Sequence, residues 1–201
     1  MRILLATHNR GKRREWQALL RALPVDLLLP EEVGLAIEVE ETGTTYAENA
    51  LLKARTLCAA SGLPTLADDS GLEVDALDGA PGLRSARYAP GDDAVRYRTL
   101  LRALEGVPDE ARTARFRCTA ALVLPDGREF LREGLCEGRI TTEPHGEGGF
   151  GYDPVFLLPE LGRTMAELSA EEKNRISHRA RAAQQLIPLL RELIRESGGE
   201  R

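Results

Sequence analysis

The sequence predicts an α/β protein. Residues 3–6 form an apolar run typical of a short buried strand, an amphipathic helix follows from about Gly11, and a second apolar run covers residues 25–29. This order of strand, helix and strand is typical of a βαβ unit. A chain of 201 residues is long enough for one domain, which could have two lobes.

The remaining elements follow from caps, turns and periodicity. A capping-box pattern at Thr45 and Glu48 predicts a helix that ends near residues 61–64, and residues 65–67 form a short strand that ends at the sequence Asp-Asp-Ser-Gly of residues 68–71. Residues 92–104 are predicted to be helical. Residues 115–124 and 128–136 read as the two strands of a hairpin. A second capping box starts at Ser169, and the last helix covers about residues 178–195, with a kink or break expected at Pro188.

The net charge excludes some partners. Lys and Arg number 27 against 32 Asp and Glu, a formal net charge of −5, which argues against non-specific nucleic-acid binding because such binding depends on phosphate neutralisation. A locally basic pocket could still hold one small polyanion. The apolar runs are too short to span a bilayer or to form a signal peptide, so we expect a cytoplasmic protein with no membrane or nucleic-acid partner.

Cysteine and histidine usage argues against a zinc site. The three cysteines, Cys58, Cys118 and Cys136, form no CxxC pair, so we expect free buried thiols in a reducing compartment. The three histidines show no metal-ligand spacing. A hard cation held by carboxylates remains open.

The first candidate site is the segment 7–12, which joins the first strand to the first helix. Backbone amides at a helix start, together with the helix dipole, favour an anion. Lys12 adds a positive charge, while Thr7 and Asn9 add short hydrogen-bonding groups. The segment lacks the glycines of the GxxxxGK[ST] phosphate loop. The alternative is a solvated turn with Asn9 as the helix N-cap.

The second candidate site is the pair Asp68 and Asp69, placed directly after a strand, where ligands gather in open α/β sheets. A carboxylate here could hold Mg²⁺ or orient a water molecule, and the sequence does not distinguish which aspartate is the base. The alternative is an ordinary turn. Asn49 and Lys53 lie four residues apart on one face of the preceding helix, where the alternative is a solvated charged face.

The third candidate site is the glycine-rich segment 146–154. It contains a literal GxGxxG, but no strand of an early βαβ unit leads into it and Pro154 opposes a following helix, so we reject a dinucleotide site. Its glycines allow a close approach of backbone to a ligand, and Phe150 could stack on a planar ring or pack into the core. Further along, Lys173, His178 and Arg179 offer donors at the start of the last helix, or simply form a basic surface.

Together these segments resemble the inosine triphosphate pyrophosphatase family, and most closely its bacterial XTP/dITP pyrophosphatases. The matching motifs run in family order across nearly the whole chain, and they are Thr7-x-Asn9-x-x-Lys12, Glu41 with Asn49 and Lys53, Ala67-Asp68-Asp69-Ser70-Gly71, Gly79-x-Pro81-Gly82 with Ser85-Ala86-Arg87-Tyr88, Gly148-Gly149-Phe150-Gly151-Tyr152-Asp153-Pro154, and Glu172-Lys173 with Ser177-His178-Arg179.

The resemblance implies both a fold and a reaction. The fold would be an elongated, two-lobed α/β protein with a long central mixed β-sheet flanked by helices, an active site in the cleft between the lobes, and a homodimer as its assembly. The reaction would be Mg²⁺-dependent hydrolysis of ITP, dITP and XTP to the monophosphate and pyrophosphate, which would keep these bases out of DNA and RNA. We expect a single pyrophosphatase domain over residues 1–196 and a frayed tail over residues 197–201.

The resemblance also implies a role for each site residue. The residues that would cradle the triphosphate are Thr7, His8, Asn9, Arg10, Gly11 and Lys12. Glu41 and Asp69 would hold the metal, and Asp69 would also orient or deprotonate the attacking water. Lys53 would neutralise phosphate charge and Ser70 would contact a phosphate. Phe150 would stack on the base, and the residues that would read its edge are Gly151, Tyr152, Asp153, Lys173, His178 and Arg179.

Two other functions fit parts of the sequence. A broad nucleotide pyrophosphatase of the related septum-inhibitor type would act on pyrimidine or modified nucleotides, and the Phe150 loop and the Ser177-His178-Arg179 segment argue against it. A non-catalytic nucleotide sensor would need no metal-binding carboxylates, and Glu41 and Asp69 argue against that.

Overall fold

A computed structural model describes residues 1–198 and contains a seven-stranded mixed sheet with helices packed on it. The strands are β1 (Arg2–Leu5), β2 (Asp26–Leu28), β3 (Thr65–Val74), β4 (Thr113–Val123), β5 (Glu129–Ile140), β6 (Phe156–Leu158) and β7 (Arg163–Thr164). The helices are α1 (Arg10–Leu20), α2 (Tyr46–Ser61), α3 (Asp93–Ala103), α4 (Ala170–Ile176) and α5 (His178–Gly198). The strand order is β2-β1-β3-β4-β5-β6-β7. Because β1 pairs in parallel with β2 and β3 while β6 pairs antiparallel with β5 and β7, the predicted α/β class with a mixed sheet is confirmed.

The chain divides into two compact units. The first unit consists of Met1–Asp69, Cys118–Gly134 and the chain from Arg179 onward. The second unit consists of Ser70–Arg117 and Leu135–His178. The chain passes from one unit to the other within β3, β4 and β5 and at the start of α5.

The core of the first unit explains why the opening strand is apolar throughout. Ile3 and Leu5 belong to one buried cluster, which contains Trp16 of α1. Leu4 belongs to a second buried cluster, which contains Ala50 of α2. Since alternate residues of a strand point to opposite faces, β1 is buried on both faces, as expected for a central parallel strand.

The core of the second unit is a separate cluster. It includes Leu72 of β3, Phe116 of β4 and Phe156 of β6, and the ring centres of Phe116 and Phe156 lie 4.4 Å apart. Arg112 is buried beside it and donates hydrogen bonds to the backbone carbonyl oxygens of Leu104, Ile140 and Thr141. These bonds satisfy a charged side chain that would otherwise be costly to bury.

The predicted hairpin is confirmed, since β4 and β5 are neighbours and Leu124 N–H donates to Arg128 O at the turn.

The helix predicted around Pro188 is not broken, because α5 continues past this residue. The same helix continues through Ser197 and Gly198, which the sequence assigned to a frayed tail. The rest of that tail lies outside the described residues.

The sequence does not predict the short strands β6 and β7. In the part of the chain that the structure describes, no helix combines the length and apolar character needed to cross a membrane.

The third strand is longer than predicted, and this changes the setting of the candidate carboxylates. The sequence ended this strand at residue 67, but β3 continues to Val74, so Asp68 and Asp69 lie inside a strand rather than after it. Both aspartates are buried there. The strand can continue because residues distant in sequence supply partners for both carboxylates.

Candidate active site

Two lysines from different helices converge on β3 in the first unit. Lys12 Nζ, from α1, lies 3.3 Å from the backbone carbonyl oxygen of Asp68 and 3.1 Å from its Oδ2. Lys53 Nζ, from α2, lies 2.8 Å from the same carbonyl oxygen. Two ammonium groups within reach of one oxygen atom are cations that a polyanionic ligand could contact, although both are paired with carboxylates of the chain.

The carboxylate of Asp68 is fully engaged by the protein. Its Oδ1 accepts a hydrogen bond of 3.0 Å from Trp16 Nε1, and its Oδ2 accepts one of 3.0 Å from Arg179 Nη2. Burial by itself would raise the pKa of Asp68, but the charges of Lys12 and Arg179 hold that pKa well below its ordinary value. Asp68 is therefore a permanent anion that organises the surrounding cations.

Asp69 has a different environment. Asn49 Nδ2 donates a hydrogen bond of 3.0 Å to its Oδ2, and Lys53 Nζ lies 3.9 Å from its Oδ1. Burial raises the pKa of Asp69 above its ordinary value, and this outweighs the lowering by Lys53 and Lys12. Of the two adjacent aspartates, Asp69 is thus the one better able to accept a proton.

The two carboxylates beside Lys53 are of the ligand type that a hard divalent cation prefers. Glu41 Oε1 lies 2.6 Å from Lys53 Nζ and Asp69 Oδ1 lies 3.9 Å from it, so both carboxylates flank one ammonium group. Within residues 1–198 no group of three or more His, Cys, Asp or Glu side chains could hold a metal ion. Two carboxylates are nevertheless what Mg²⁺ uses when substrate phosphates and water complete its shell.

The start of α1 follows the N-cap alternative. Asn9 Oδ1 accepts hydrogen bonds from the amides of Gly11 and Lys12, at 2.8 and 3.0 Å, and Thr7 Oγ1 accepts one from the Asn9 amide. Two of the helix-start amides are therefore already bonded within the chain. His8 and Arg10 are exposed. Of the segment 7–12, only Lys12 is shown in contact with the carboxylates described above.

In the second unit, Phe150 contacts the two charged side chains of a buried ion pair, Asp153 and Lys173. Its backbone amide donates a hydrogen bond of 2.8 Å to Asp153 Oδ2, and the same carboxylate forms a buried ion pair with Lys173. Lys173 Nζ lies 4.7 Å from the centre of the Phe150 ring, within the range of a cation–π contact. Gly149 has a φ of 72°, and a Cβ atom at this position would overlap Asp153, so the loop requires glycine there.

Other contacts fix the rest of this loop. The buried Tyr152 donates its hydroxyl hydrogen to the carbonyl oxygen of Ser85 at 2.8 Å. The amide of Gly151 donates to Asp93 Oδ2 at 2.7 Å, and the sequence gives no signal for this role of Asp93.

Two other expected site residues lie outside this loop. The imidazole of His178 is buried and stacks on Phe116, with ring centres 4.7 Å apart. Ser70, the first residue of the second unit, is partly exposed.

Arg179 is the site residue whose position differs most from the role first expected for it. Its side chain is only 1% exposed and is joined to Asp68 and to Glu15 of α1, all within the first unit. The sequence assigned Arg179 to the edge of a base, whereas the structure buries it as the counter-ion of two carboxylates. Glu15 was missed, although its position four residues before Leu19 placed it next to the apolar face of α1.

The fold and this cluster define an α/β protein with a buried set of cations and carboxylates suited to a polyanion and a divalent cation. The sequence pattern of the Ham1 family matches residues 3–189, and the chain belongs to this family. It is 51% identical over 198 residues to the dITP/XTP pyrophosphatase of Symbiobacterium thermophilum, covering 97% of this chain and 98% of that protein. The dITP/XTP pyrophosphatase of Geobacillus kaustophilus is 50% identical over 198 residues, which cover 98% of this chain and 97% of the relative.

Solved structures agree with this membership. A Ham1 protein from Coxiella burnetii superposes with a TM-score of 0.87 and 45% identity, over 96% of this chain and 99% of that one. The Ham1 protein of Staphylococcus aureus superposes with a TM-score of 0.85 and 38% identity, over 96% of this chain and 99% of that one.

Proposed function

We propose that this protein hydrolyses non-standard purine nucleoside triphosphates (dITP, XTP and ITP) to the monophosphate and pyrophosphate, and so removes these bases from the nucleotide pool. The observation that carries the proposal is the convergence of Lys12 and Lys53 with Glu41 and Asp69 in the first unit. The names of the relatives from Symbiobacterium thermophilum and Geobacillus kaustophilus support the substrate class.

The triphosphate would be bound by the lysines and by Mg²⁺. Glu41 and Asp69 would hold the ion, which when bound neutralises phosphate charge and withdraws electron density from the phosphate that is attacked. Lys53 contacts Glu41 and Asp69, so its ammonium group lies beside both proposed ligands. Ser70, next in the chain, could donate its hydroxyl hydrogen to a phosphate oxygen.

Asp69 would accept the proton of the attacking water. Asn49 holds one of its carboxylate oxygens by a hydrogen bond, which would fix the orientation of the carboxylate toward a water molecule. Asp68 is unsuited to the same task because Trp16 and Arg179 already occupy its two oxygens. Its role would be to hold Lys12 in position.

The base would be recognised in the second unit. Phe150 would stack on the purine through the ring face opposite Lys173, whose ammonium group lies over the ring and would act as a nearby donor. Inosine and xanthosine present a carbonyl oxygen at purine position 6, while adenosine presents an amino group, which is a donor. Because a donor facing a donor leaves both groups unpaired, we expect ATP to be rejected by roughly 10⁴-fold. Guanosine keeps this carbonyl, so we expect weaker rejection of GTP.

The test is pyrophosphate release from ITP, dITP, XTP, ATP, GTP and dUTP under the same conditions with Mg²⁺. We expect the first three to be the preferred substrates by kcat/KM, with monophosphate as the second product. Hydrolysis of ATP or dUTP as fast as ITP would refute the proposal and favour a broad nucleotide pyrophosphatase. Binding of ITP without any turnover would favour a nucleotide sensor.

The resemblance also leads us to propose that the enzyme is a cytoplasmic homodimer. Sedimentation equilibrium of the purified protein tests its assembly, and fractionation of the cells that produce it tests its location. A monomer at micromolar concentration, or recovery outside the cytoplasm, would contradict these two proposals.

A further inference from the structure

We propose that Asp93 is a positioning residue for base recognition, which fixes the peptide that follows Phe150 and thereby the orientation of the Phe150 ring. The proposal rests on the function proposed above, because it gives the Phe150 loop the task of binding the purine. The observation behind it is the hydrogen bond of 2.7 Å from the Gly151 amide to Asp93 Oδ2. These two residues are separated by 58 positions in the chain.

Asp93 is not needed to cap its own helix. The N-cap of α3 is Asp92, whose Oδ1 accepts a hydrogen bond of 2.9 Å from the Val95 amide. Asp93 is the first residue of α3, and its side chain contacts the loop instead. An acidic residue in the first turn of a helix interacts favourably with the dipole wherever its side chain points, so the contact with Gly151 is an additional property.

The Asp93 carboxylate is itself held in place from the other side. Its Oδ1 accepts a hydrogen bond of 2.6 Å from Arg96 Nη2, and Arg96 Nη1 donates to the carbonyl oxygen of Gly91 at 2.6 Å. Both carboxylate oxygens are thus engaged, one by the guanidinium of its own helix and the other by the loop. Such charge-assisted bonds are stronger and better oriented than neutral ones.

The backbone is consequently anchored at two successive amides, that of Phe150 and that of Gly151. The Phe150 amide is held by Asp153, which lies within the loop, and the next amide is held by Asp93, which lies outside it. This second anchor is important because Gly149 and Gly151 flank the phenylalanine, both with positive φ, and glycine allows the widest range of backbone conformations. The carbonyl oxygen of the peptide between Phe150 and Gly151 also accepts a longer hydrogen bond, of 3.3 Å, from the Asp153 amide. Without Asp93 the peptide would therefore be held more weakly, and the ring would have to be ordered further when the base binds.

The consequence is a defect in binding rather than in chemistry. Ordering a loop costs free energy at the moment of binding, so an enzyme without the anchor should bind the base more weakly. The proposed base Asp69 and the two phosphate-binding lysines lie in the first unit, while Asp93 belongs to the second. We therefore expect KM to rise while kcat is largely preserved.

The experiment compares D93A, D93N and D92A with the unmodified protein. For D93A we expect KM for ITP to rise about tenfold with kcat changed less than about twofold, from the loss of one charge-assisted hydrogen bond. Inhibition by inorganic tripolyphosphate, which has no base, should keep the same inhibition constant. D93N retains a carbonyl oxygen that can accept from Gly151 but turns its NH2 group toward Arg96, so its KM should lie between those of D93A and the unmodified protein.

Amide hydrogen exchange gives a readout that requires no activity. In D93A without nucleotide, peptides that contain Gly151 should exchange at least about tenfold faster, while peptides from β4 should be unchanged. D92A is the matched control, because it removes the same charge one residue earlier and removes the helix cap, yet it should leave both KM and the loop exchange unaltered.

Several results would overturn the proposal. One is an equal rise in KM for D92A and D93A, which would indicate a general loss of α3. Another is a parallel weakening of tripolyphosphate inhibition, and a third is unchanged exchange at Gly151 in D93A. If the unmodified protein does not hydrolyse ITP, the proposed function fails, whereas the exchange comparison still decides whether Asp93 holds the loop.

Discussion

We expect the two adjacent aspartates of β3 to have different roles, Asp68 in the stability of the fold and Asp69 in catalysis. Replacing each with asparagine tests this. Asp68→Asn and Asp69→Asn remove the same charge one residue apart. Each asparagine has nearly the shape of the aspartate it replaces, so each variant is the natural control for the other.

Asp68→Asn should destabilise the fold strongly. The Asp68 side chain is 0% exposed and that of its partner Arg179 is 1% exposed, so the substitution leaves a buried guanidinium with one carboxylate fewer. Breaking a buried ion pair by removing one partner typically costs about 3–5 kcal/mol. Because Glu15 remains paired with Arg179, we expect a value near the lower end, about 3 kcal/mol.

Asp69→Asn should leave the free energy of unfolding within about 1 kcal/mol of the unmodified value. The new side chain can still accept the hydrogen bond from Asn49, and burial already disfavours the charge that the substitution removes. The fall in kcat should be at least about a hundredfold, since loss of a general base typically costs 10²–10⁴.

The assay pairs urea unfolding with pyrophosphate release from ITP. The reasoning is refuted if Asp68→Asn is as stable as the unmodified protein, or if Asp69→Asn turns over ITP at a near-normal rate.

The pH dependence of the free energy of unfolding gives a further check. The pKa of Asp68 is lowered in the fold, so its contribution to stability is present above its unfolded pKa of about 4 and is lost as the pH falls further. The stability difference between the unmodified protein and Asp68→Asn should therefore shrink as the pH is lowered below about 4.

Two further predictions concern the ligand-binding residues. Lys12→Met and Lys53→Met should each weaken binding of a non-hydrolysable ITP analogue more than binding of IMP, because the lost attraction scales with ligand charge; equal losses in a competition assay would contradict this. Gly149→Ala should lower both Tm and kcat/KM for ITP more than Gly151→Ala does. Both glycines have positive φ, but only at Gly149 would the added methyl group overlap Asp153, so similar Tm values for the two variants would argue against the described loop packing.

Short sequence patterns are sufficient to predict helix caps and turns, because the partners in these features lie close together in the chain. The N-cap at Asn9, the hairpin turn after Leu124 and the capping box at Ser169 each involve partners within a few positions, and the structure contains all three. The capping box predicted at Thr45 is only partly present. Thr45 caps α2 through the Glu48 amide, while the Glu48 carboxylate accepts hydrogen bonds from Thr44.

The failures are in contacts between residues distant in the sequence. The predicted end of β3 is too early because two successive aspartates usually leave a sheet, and Arg179, the partner of Asp68, lies 111 positions away from it. The same separation hides the buried partners of Arg179 from sequence analysis, and its expected contact with the base stays a prediction. A donor-rich side chain next to a motif histidine gives no indication, from sequence alone, that it is buried against Asp68 and Glu15.

The charge balance of the first unit links metal binding to nucleotide binding. The ion pairs around Asp68 and Asp69 join three cations and four carboxylates, which are Lys12, Lys53, Arg179, Glu15, Glu41, Asp68 and Asp69. A cluster that is already close to neutral attracts a triphosphate weakly, because its lysines are largely compensated by their own partners. A divalent cation held by Glu41 and Asp69 would reverse that balance. We therefore expect a non-hydrolysable ITP analogue to bind at least about tenfold more tightly with Mg²⁺ than with EDTA. Glu41→Gln should reduce this difference, whereas Glu129→Gln, on the surface of the same unit, should not. Equal affinity with and without the metal would show that the lysines alone hold the phosphates.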